Sequence, residues 1–421
     1  MDITFKEYRK NDIHGTILYP ATMIAPMQHC VLRKYLTADC VSVLDPFCGS
    51  GTALHVAQEI IPEIHLVGND INPLAFLITR VKLEGVSTRI KKDIEKVILE
   101  LNDLHEDVPL HSFVRIDKWF RSDIIASLSK IRQVIITVKN QRNRRYFWYI
   151  FSNLVRKYSN SRSSTFKLHI KQAEKIQLMN NDVVAEFCER IQSDAEYFIR
   201  KPANFLLYKR DILDLLPSME EDSIDVTVTS PPYGDNATTV TYGEFSWLAL
   251  NWIDARDLEL EGWEITNTHI IDSRSMGGTR KEKNIVCSQD QLSLLDGYTQ
   301  GITKEKKKKV ERFFADYFIV LSQLARITKK FIILTLGNRT VDGVNISLTD
   351  ISRKWLERCG FQIEAVYERE IVNKRIPRST SCVNGKAVSS MNDEFVLIAK
   401  KKPKVLLNNI YSIENEVVYI G

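Results

Sequence analysis

Val41-Ser-Val-Leu44, followed by Asp45-Pro-Phe-Cys-Gly-Ser-Gly-Thr52, reads as a short apolar strand that runs into a carboxylate and a glycine turn. A helical pattern follows from Ala53 to about Ile60, and a second strand, His65 to Gly68, ends in Asn69-Asp70. Strand, glycine turn, helix, strand and acidic residue make the first half of a doubly wound α/β domain. Gly49 and Gly51 leave room for a ligand to approach the backbone, and the helix behind them offers N–H groups. A glycine turn alone also suits NAD or a nucleotide phosphate. Here the Gly-x-Gly-x-x-Gly spacing is absent, because position 54 is Leu, and the P-loop Lys is absent too.

Outward from this unit the α/β rhythm breaks and then returns. From about Ser87 to Lys201 the chain shows helical periodicity, many charges and few strand signals, which predicts a helical insertion. Strands are then expected at Phe205–Tyr208, Ile224–Val228, Phe331–Leu336, Ile363–Tyr367 and Phe395–Ala399. Between Trp252 and Phe313 lies a polar, turn-rich stretch with Met276-Gly-Gly278 and Lys304-Glu-Lys-Lys-Lys-Lys309, expected to be a second, partly mobile excursion. The expected organisation is therefore residues 1–86 and 202–404 as two parts of one α/β domain. An insertion lies at 87–201, a polar excursion at about 253–312, and 405–421 is a tail.

Acidic strand ends narrow the ligand. Asp45, beside the turn, would repel a pyrophosphate and attract an ammonium. Asp70, ending the second strand, can accept hydrogen bonds from ribose hydroxyls, and Asp211, ending the third, can accept one from an adenine amino group. An adenosine carrying an amino-acid cation satisfies all three, and S-adenosylmethionine is such a molecule. Each Asp taken singly also suits a helix N-cap. After the strand Ile224–Val228 comes Thr229-Ser-Pro-Pro-Tyr233, where two prolines stiffen the loop and leave its carbonyls as acceptors.

Asp45-Pro-Phe-Cys-Gly-Ser-Gly-Thr52 and Thr229-Ser-Pro-Pro-Tyr233, in this order and on these elements, resemble motifs I and IV of the bacterial amino-methyltransferases of DNA. Leu18-Tyr-Pro-Ala21 with Pro26 is similar to the family's N-terminal cofactor motif. Gly337-Asn-Arg-Thr-Val-Asp-Gly343 and Lys374-Arg-Ile-Pro377 are similar to its later motifs. The resemblance implies a Rossmann-like methyltransferase sheet that binds S-adenosylmethionine through Tyr19, Pro20, Asp45, Phe47, Gly49, Gly51, Thr52, Asp70, Ile71, Asp211 and Ile212. It implies a catalytic loop of Ser230, Pro231, Pro232 and Tyr233 acting on a base flipped out of the duplex. Tyr233 would stack on the base, while Ser230 and the Pro231 carbonyl accept its amino protons. Ser at the loop's first position leans toward cytosine N4. Adenine N6 is the alternative, followed by an RNA amino-methyltransferase and by a catalytically inactive nucleic-acid-binding subunit. The departure from the family is spacing: roughly 180 residues separate the two motifs, mostly the insertion at 87–201. That insertion becomes the candidate DNA- and target-recognition region between the two parts of the catalytic domain, with Trp252–Phe313 as the alternative.

The remaining composition bounds partners and compartment. The formal charge is only +5, but Val138–Lys171 holds nine Lys or Arg and no acid, with Tyr146, Phe147, Trp148 and Tyr149 interleaved. That pattern suits a phosphate backbone beside displaced bases and nominates Arg142, Arg144, Arg145, Arg156, Lys157 and Arg162 as DNA contacts. A solvated basic face is the competing reading. Double-stranded DNA is the expected partner, and a cognate restriction endonuclease is a candidate companion. Seven scattered cysteines without a CxxC pair give no recognisable zinc site, so no metal is expected. Cys48, in the turn, is expected to be inert. No run of 18 apolar residues and no signal-peptide pattern is present, so a cytoplasmic location is expected.

Overall fold

The structure is a computed structural model that describes residues 3, 5, 7–9, 12–104, 108–236, 238–279, 285–371, 379–383, 386–389 and 393–403. The motif Lys374–Pro377 and the tail 405–421 lie outside the described residues. Seven strands form the central sheet: β1 (Ser42–Asp45), β2 (His65–Asn69), β3 (Asn204–Tyr208), β4 (Ile224–Thr229), β5 (Thr328–Gly337), β6 (Phe361–Glu370) and β7 (Asp393–Lys401). Their order is β3-β2-β1-β4-β5-β7-β6. The first five run parallel, and β7 enters antiparallel to both β5 and β6. This is a doubly wound, Rossmann-like sheet whose strand order reverses between β1 and β4. Each strand had a short apolar run to mark it, because a sheet covered on both faces needs near-continuous apolar strands.

Alternate residues of each strand feed two cores. Val43, Leu66, Val226 and Val228 face α1 (Ala25–Tyr35) and α2 (Thr52–Ile60). Leu44, Val67, Ile332 and Leu334 face a 24-residue helix, Lys304–Ile327, and the helix Leu348–Arg358. The lysine run 304–309 therefore begins a long helix instead of lying in a turn-rich stretch. Its first turns are largely exposed and pair with Asp342 and Asp296, and its buried face starts at Val310 and Phe313. A helix at Gln289–Thr299, closed by the capping box of Ser288 and Gln291, also occupies part of that stretch. Residues 280–284 of it lie outside the described residues.

Between Ile90 and Phe198 every helix or strand described is helical. At the centre of this region stands Gln141–Tyr158, with Tyr146, Phe147, Trp148, Tyr149, Ile150 and Phe151 all fully buried. The four aromatic residues that suggested base stacking are core, and each contributes about 1.5–3 kcal/mol by leaving water. Their neighbouring cations are largely committed inside the protein. Arg142 donates to the carbonyls of Glu84 and Val86. Arg144 grips both oxygens of buried Asp257 at 2.7–2.9 Å. Arg145, only 5% exposed, pairs with Glu84 and Glu259 at 3.1 and 3.2 Å. Arg156 donates to the carbonyl of Thr165 and stacks over Phe245. Lys157 is exposed and pairs with Glu186, and Arg162 is exposed. The stretch looked acid-free because its acids come from elsewhere in the chain. Arg142, Arg144, Arg145 and Arg156 are thus corrected from candidate phosphate contacts to internal ties.

Among the described residues no helix is long and apolar enough to cross a membrane. Asp257 is the tightest of the internal ties, since it also accepts from the indole Nε1 of Trp148 at 2.7 Å. Replacing Asp257 by Ala strands the Arg144 guanidinium and the Trp148 N–H, and should lower stability by about 3 kcal/mol. Urea unfolding followed by tryptophan fluorescence measures this, and an unchanged midpoint would contradict the assignment.

Candidate functional site

The reversal of strand order leaves a crevice at the carboxyl ends of β1 and β4, the position where open α/β sheets bind ligands. A cavity, partly open to solvent, lies there. Successive loops line it: Tyr19 and Pro20 before α1; Phe47, Gly49 and Thr52 after β1; Asp70 and Ile71 after β2; Asp211 and Ile212 after β3; Ser230 and Pro232 after β4. Residues spread over more than 200 positions converge because parallel strands put all their carboxyl ends on one edge.

The turn after β1 folds back on β2. Cys48 donates its backbone N–H to Asn69, and Gly49 donates its own to Asp70 Oδ2 at 2.9 Å. Asp70 Oδ1 takes the N–H of Asn72 at 2.9 Å. Each oxygen of this half-buried carboxylate therefore keeps a lone pair for a ligand. Burial pushes the Asp70 carboxyl up to about 6, against the pull of its two backbone donors. Asp211 caps the short helix Ile212–Leu215 through Leu213 N–H, so it serves as an N-cap while also lining the cavity.

Asp45 and Gly51 are placed differently from expectation. Asp45 is fully buried and is not among the lining residues. Its Oδ1 accepts from Thr229 Oγ1 at 2.7 Å and from Phe47 N–H at 3.2 Å, while buried Oδ2 has no partner. Burial lifts its carboxyl to about 7. The carboxylate joins the ends of β1 and β4 instead of meeting a ligand directly. Gly51 caps α2 in the left-handed region, at φ +72°. A Cβ there would press on Thr79 at 2.8–2.9 Å, so the neighbour it spares is a helix side chain, with the ligand space elsewhere. Cys48 lies buried beside Thr79, and burial raises its thiol far above the ordinary range.

The Ser-Pro-Pro-Tyr loop divides its residues. Ser230 and Pro232 face the cavity, whereas Pro231 is buried and absent from the lining. Tyr233 packs against the core under the Lys304–Ile327 helix and lines a small separate cavity with Phe313 and Phe314. Its hydroxyl lies 3.0 Å from Ser230 Oγ and donates to Glu394 at 3.1 Å. The ring is therefore not offered to the main cavity in this structure.

Sequence reasoning missed a second set of residues. Asn69 ties the turn after β1 to the loop after β3, donating to the carbonyls of Pro46 and Arg210 and accepting from Arg210 N–H. Buried Asn72 caps α3 (Pro73–Glu84) and donates to Tyr19 Oη and to Ser246 Oγ at 2.7 Å. Its local signal was present, since Asn before Pro is a strong helix start. Tyr242, Asn236, Arg274 and Met276 also line the cavity. Nothing local marks them: Arg274 and Met276 arrive from the stretch read as an excursion, and Asn236 and Tyr242 from the segment just after the Ser-Pro-Pro-Tyr loop.

Fold and site together define a Rossmann-like α/β protein with a ligand-sized crevice at the switch point of its sheet. The chain is 28% identical over 420 residues to a Type II methyltransferase, M.MvaI, from Kocuria varians, covering 92% of this chain and 90% of that protein. This similarity supports the resemblance to bacterial DNA methyltransferases drawn from the motifs. No family model matches the chain. An rRNA methyltransferase, aviRa from Streptomyces viridochromogenes, overlaps 90% of this chain and 86% of its own at 12% identity, but its TM-score of 0.29 supports no conclusion.

The two glycines of the turn separate backbone from packing demands. Gly49, at φ +50°, would put a Cβ in ordinary contact with Tyr19 at 3.5 Å. Gly49→Ala should lower stability by about 1–2 kcal/mol from the left-handed backbone alone. Gly51→Ala adds the collision with Thr79 and should lower it by about 2–4 kcal/mol. Equal losses in thermal unfolding would show that the Thr79 contact imposes nothing.

Proposed function

We propose that the chain is an S-adenosylmethionine-dependent DNA methyltransferase that modifies an exocyclic amino group, with cytosine N4 the favoured target and adenine N6 the alternative. The observation that carries the reading is Ser230 in the wall of the same cavity as the glycine turn and Asp70. A methyl donor held by the turn would stand next to an acceptor for an amino group.

The residues present fit the donor. Asp70 keeps acceptor capacity for ribose hydroxyls. Asp211 lines the cavity next to Arg210 and Ile212, in reach of an adenine ring's polar edge. Asp45, with Oδ2 unpartnered, would act on a bound cation through space, from behind the lining. When bound, the donor supplies an electrophilic methyl on a sulfonium. The protein's part is to hold the target nitrogen in line with it, keep water out and accept the amino hydrogen at Ser230 Oγ. Tyr233 keeps its present packing in this reading, so its hydroxyl supports Ser230 and its ring is not assigned to stacking on a flipped base. For DNA, exposed Arg162 and Lys175 line an open depression with Lys171 and Ser163, where phosphates would find cations. Lys157, also exposed, would be a further phosphate contact if it released Glu186. A cognate restriction endonuclease remains a candidate partner.

Sequencing of modified bases in DNA from a host expressing the protein, with mass spectrometry of the nucleosides, tests the reading. N4-methylcytosine is expected at one recurrent sequence. N6-methyladenine alone would overturn the base, and unmodified DNA would overturn the activity.

The two raised carboxyls give the donor's affinity a pH dependence. A bound cation favours ionised Asp45 and Asp70, so binding releases protons where these groups are protonated in the empty site. Affinity for S-adenosylmethionine should rise as pH climbs through about 6 and 7 and then level off. Asp70→Ala should weaken binding by about 1.5–3 kcal/mol at pH 8. Calorimetry in buffers of different ionisation enthalpy counts the protons, and a pH-independent affinity would refute the linkage.

A further inference from the structure

A half-buried chain of hydrogen bonds runs from Ser230 to Tyr233 and Glu394. Ser230 Oγ and Tyr233 Oη lie 3.0 Å apart, and Tyr233 donates to Glu394 Oε1 at 3.1 Å. On the far side Arg369 Nε lies 3.0 Å from Glu394 Oε2, and Arg369 is only 5% exposed. Glu394 and Arg369 are cross-strand partners on β7 and β6, and β5 presents Gly337 opposite Glu394. The groups facing Glu394 are therefore Arg369 and Tyr233. Tyr242 is the other titratable neighbour of Tyr233, and the Asp235–Arg339 pair, 3.7 Å apart, sits over Gly234 next in the chain.

Proton counting fixes the direction of this chain. An ionised carboxylate only accepts, so the single phenolic proton of Tyr233 is committed to Glu394. The bond between Tyr233 and Ser230 then has to be supplied by the serine's own proton. Ser230 is left with lone pairs, and no proton, for the cavity it lines. A serine could otherwise turn to donate or accept with equal ease.

We propose that Glu394, acting through Tyr233, is a positioning residue that holds Ser230 as an obligate acceptor, selecting a base that presents an amino hydrogen, and that the same chain takes up the proton the amino group loses. The inference rests on the amino-methylation reading above and names how that site chooses its substrate. As the target nitrogen bonds to the methyl carbon, the carbon–sulfur bond breaks and its electron pair stays on sulfur. The nitrogen, now cationic, gives a proton to Ser230 Oγ. Ser230 passes its own proton to Tyr233 Oη, and Tyr233 passes its own to the Glu394 carboxylate, which later returns it to solvent. Burial raises the Glu394 carboxyl above the ordinary glutamate range, against the pull of Arg369, which suits a group that must both accept and release a proton.

The test uses the full chain, its recognition duplex, and a second duplex with the keto counterpart at the target base: uracil for cytosine, or hypoxanthine for adenine. Without the methyl donor, the unchanged protein should bind the amino duplex about tenfold or more tighter than the keto duplex, because a fixed acceptor meets a second acceptor. Tyr233→Phe and Glu394→Gln release Ser230 to rotate, and each should shrink that preference to about twofold or less. In single-turnover methylation the unchanged protein should lose rate as pH falls through the raised Glu394 range, and both variants should lose that limb. The double variant should be no slower than the worse single one, as expected for groups acting as a unit. Circular dichroism and S-adenosylmethionine affinity check each fold, and Tyr233→Phe, which keeps the ring, carries the test if Glu394→Gln does not fold. Unchanged preference and pH profile in the variants would overturn the relay while methylation by the unchanged protein still stands. Absence of methylation by the unchanged protein would overturn the reading beneath it and the relay together.

Discussion

The hydrogen bond from Thr229 to Asp45 crosses the one place in the sheet where the chain changes direction of winding. β1 and β4 are neighbours in space but more than 170 residues apart in sequence, and their ends must be held level for the site to exist. Asp45 does this from a fully buried position, at the expense of a carboxyl pushed to about 7. The two loops it aligns are the glycine turn and the Ser-Pro-Pro-Tyr loop. A buried carboxylate with one unpartnered oxygen destabilises the empty fold as pH rises, since the folded state holds its proton above the usual Asp range. Strained or underpaired groups of this kind concentrate at functional sites, where a ligand can compensate them.

The sheet was legible in the sequence because each of its strands is a short apolar run next to turn residues, and β1, β2 and β4 are almost wholly buried. Element identity is a local property there. The aromatic run at Tyr146–Tyr149 was open to misreading because charge and aromaticity say nothing about which way a side chain points. On Gln141–Tyr158 those residues point inward on nearly every side, and the acids that neutralise their neighbours, Glu84, Asp257, Glu259 and Glu186, come from three other parts of the chain. Composition in a window cannot report partners at that separation. The lysine run 304–309 misled for a similar reason, since its helix is stabilised by burial that begins only at Val310.

The site was legible to the extent that it is built from strand ends. Gly49, Asp70, Asp211 and Ser230 all sit where a parallel sheet puts functional groups, and the structure brings them to one cavity. What sequence could not supply was the direction each side chain takes after its strand ends. Asp45 turns into the sheet, Gly51 toward Thr79 and Tyr233 toward Glu394, although each belongs to a motif whose neighbours face the cavity. Asn69 and Asn72 show the reverse case. They are buried polar residues whose bonds fix the loops, and only the three-dimensional partners explain them.

The helical region belongs to this argument because it is not tethered by a flexible joint. Tyr242–Trp252 is a helix buried almost all round, and such a helix must pack on several elements at once. Phe245, Trp247 and Leu248 enter the same core as Tyr146–Phe151, while Tyr242 lines the ligand cavity and Ser246 accepts from Asn72. At its N-terminus Asp272 accepts the N–H groups of Gly243 and Glu244 and the side chain of Asn236, closing the loop that follows the Ser-Pro-Pro-Tyr segment. One helix thus lines the cavity, enters the aromatic core and is joined through Asp272 to Asn236, just beyond the Ser-Pro-Pro-Tyr segment. A close-packed core transmits displacement instead of absorbing it. Movement of Tyr146–Phe151 would therefore be felt at Tyr242, and through Asn72 at Tyr19, both of which line the same cavity as Ser230.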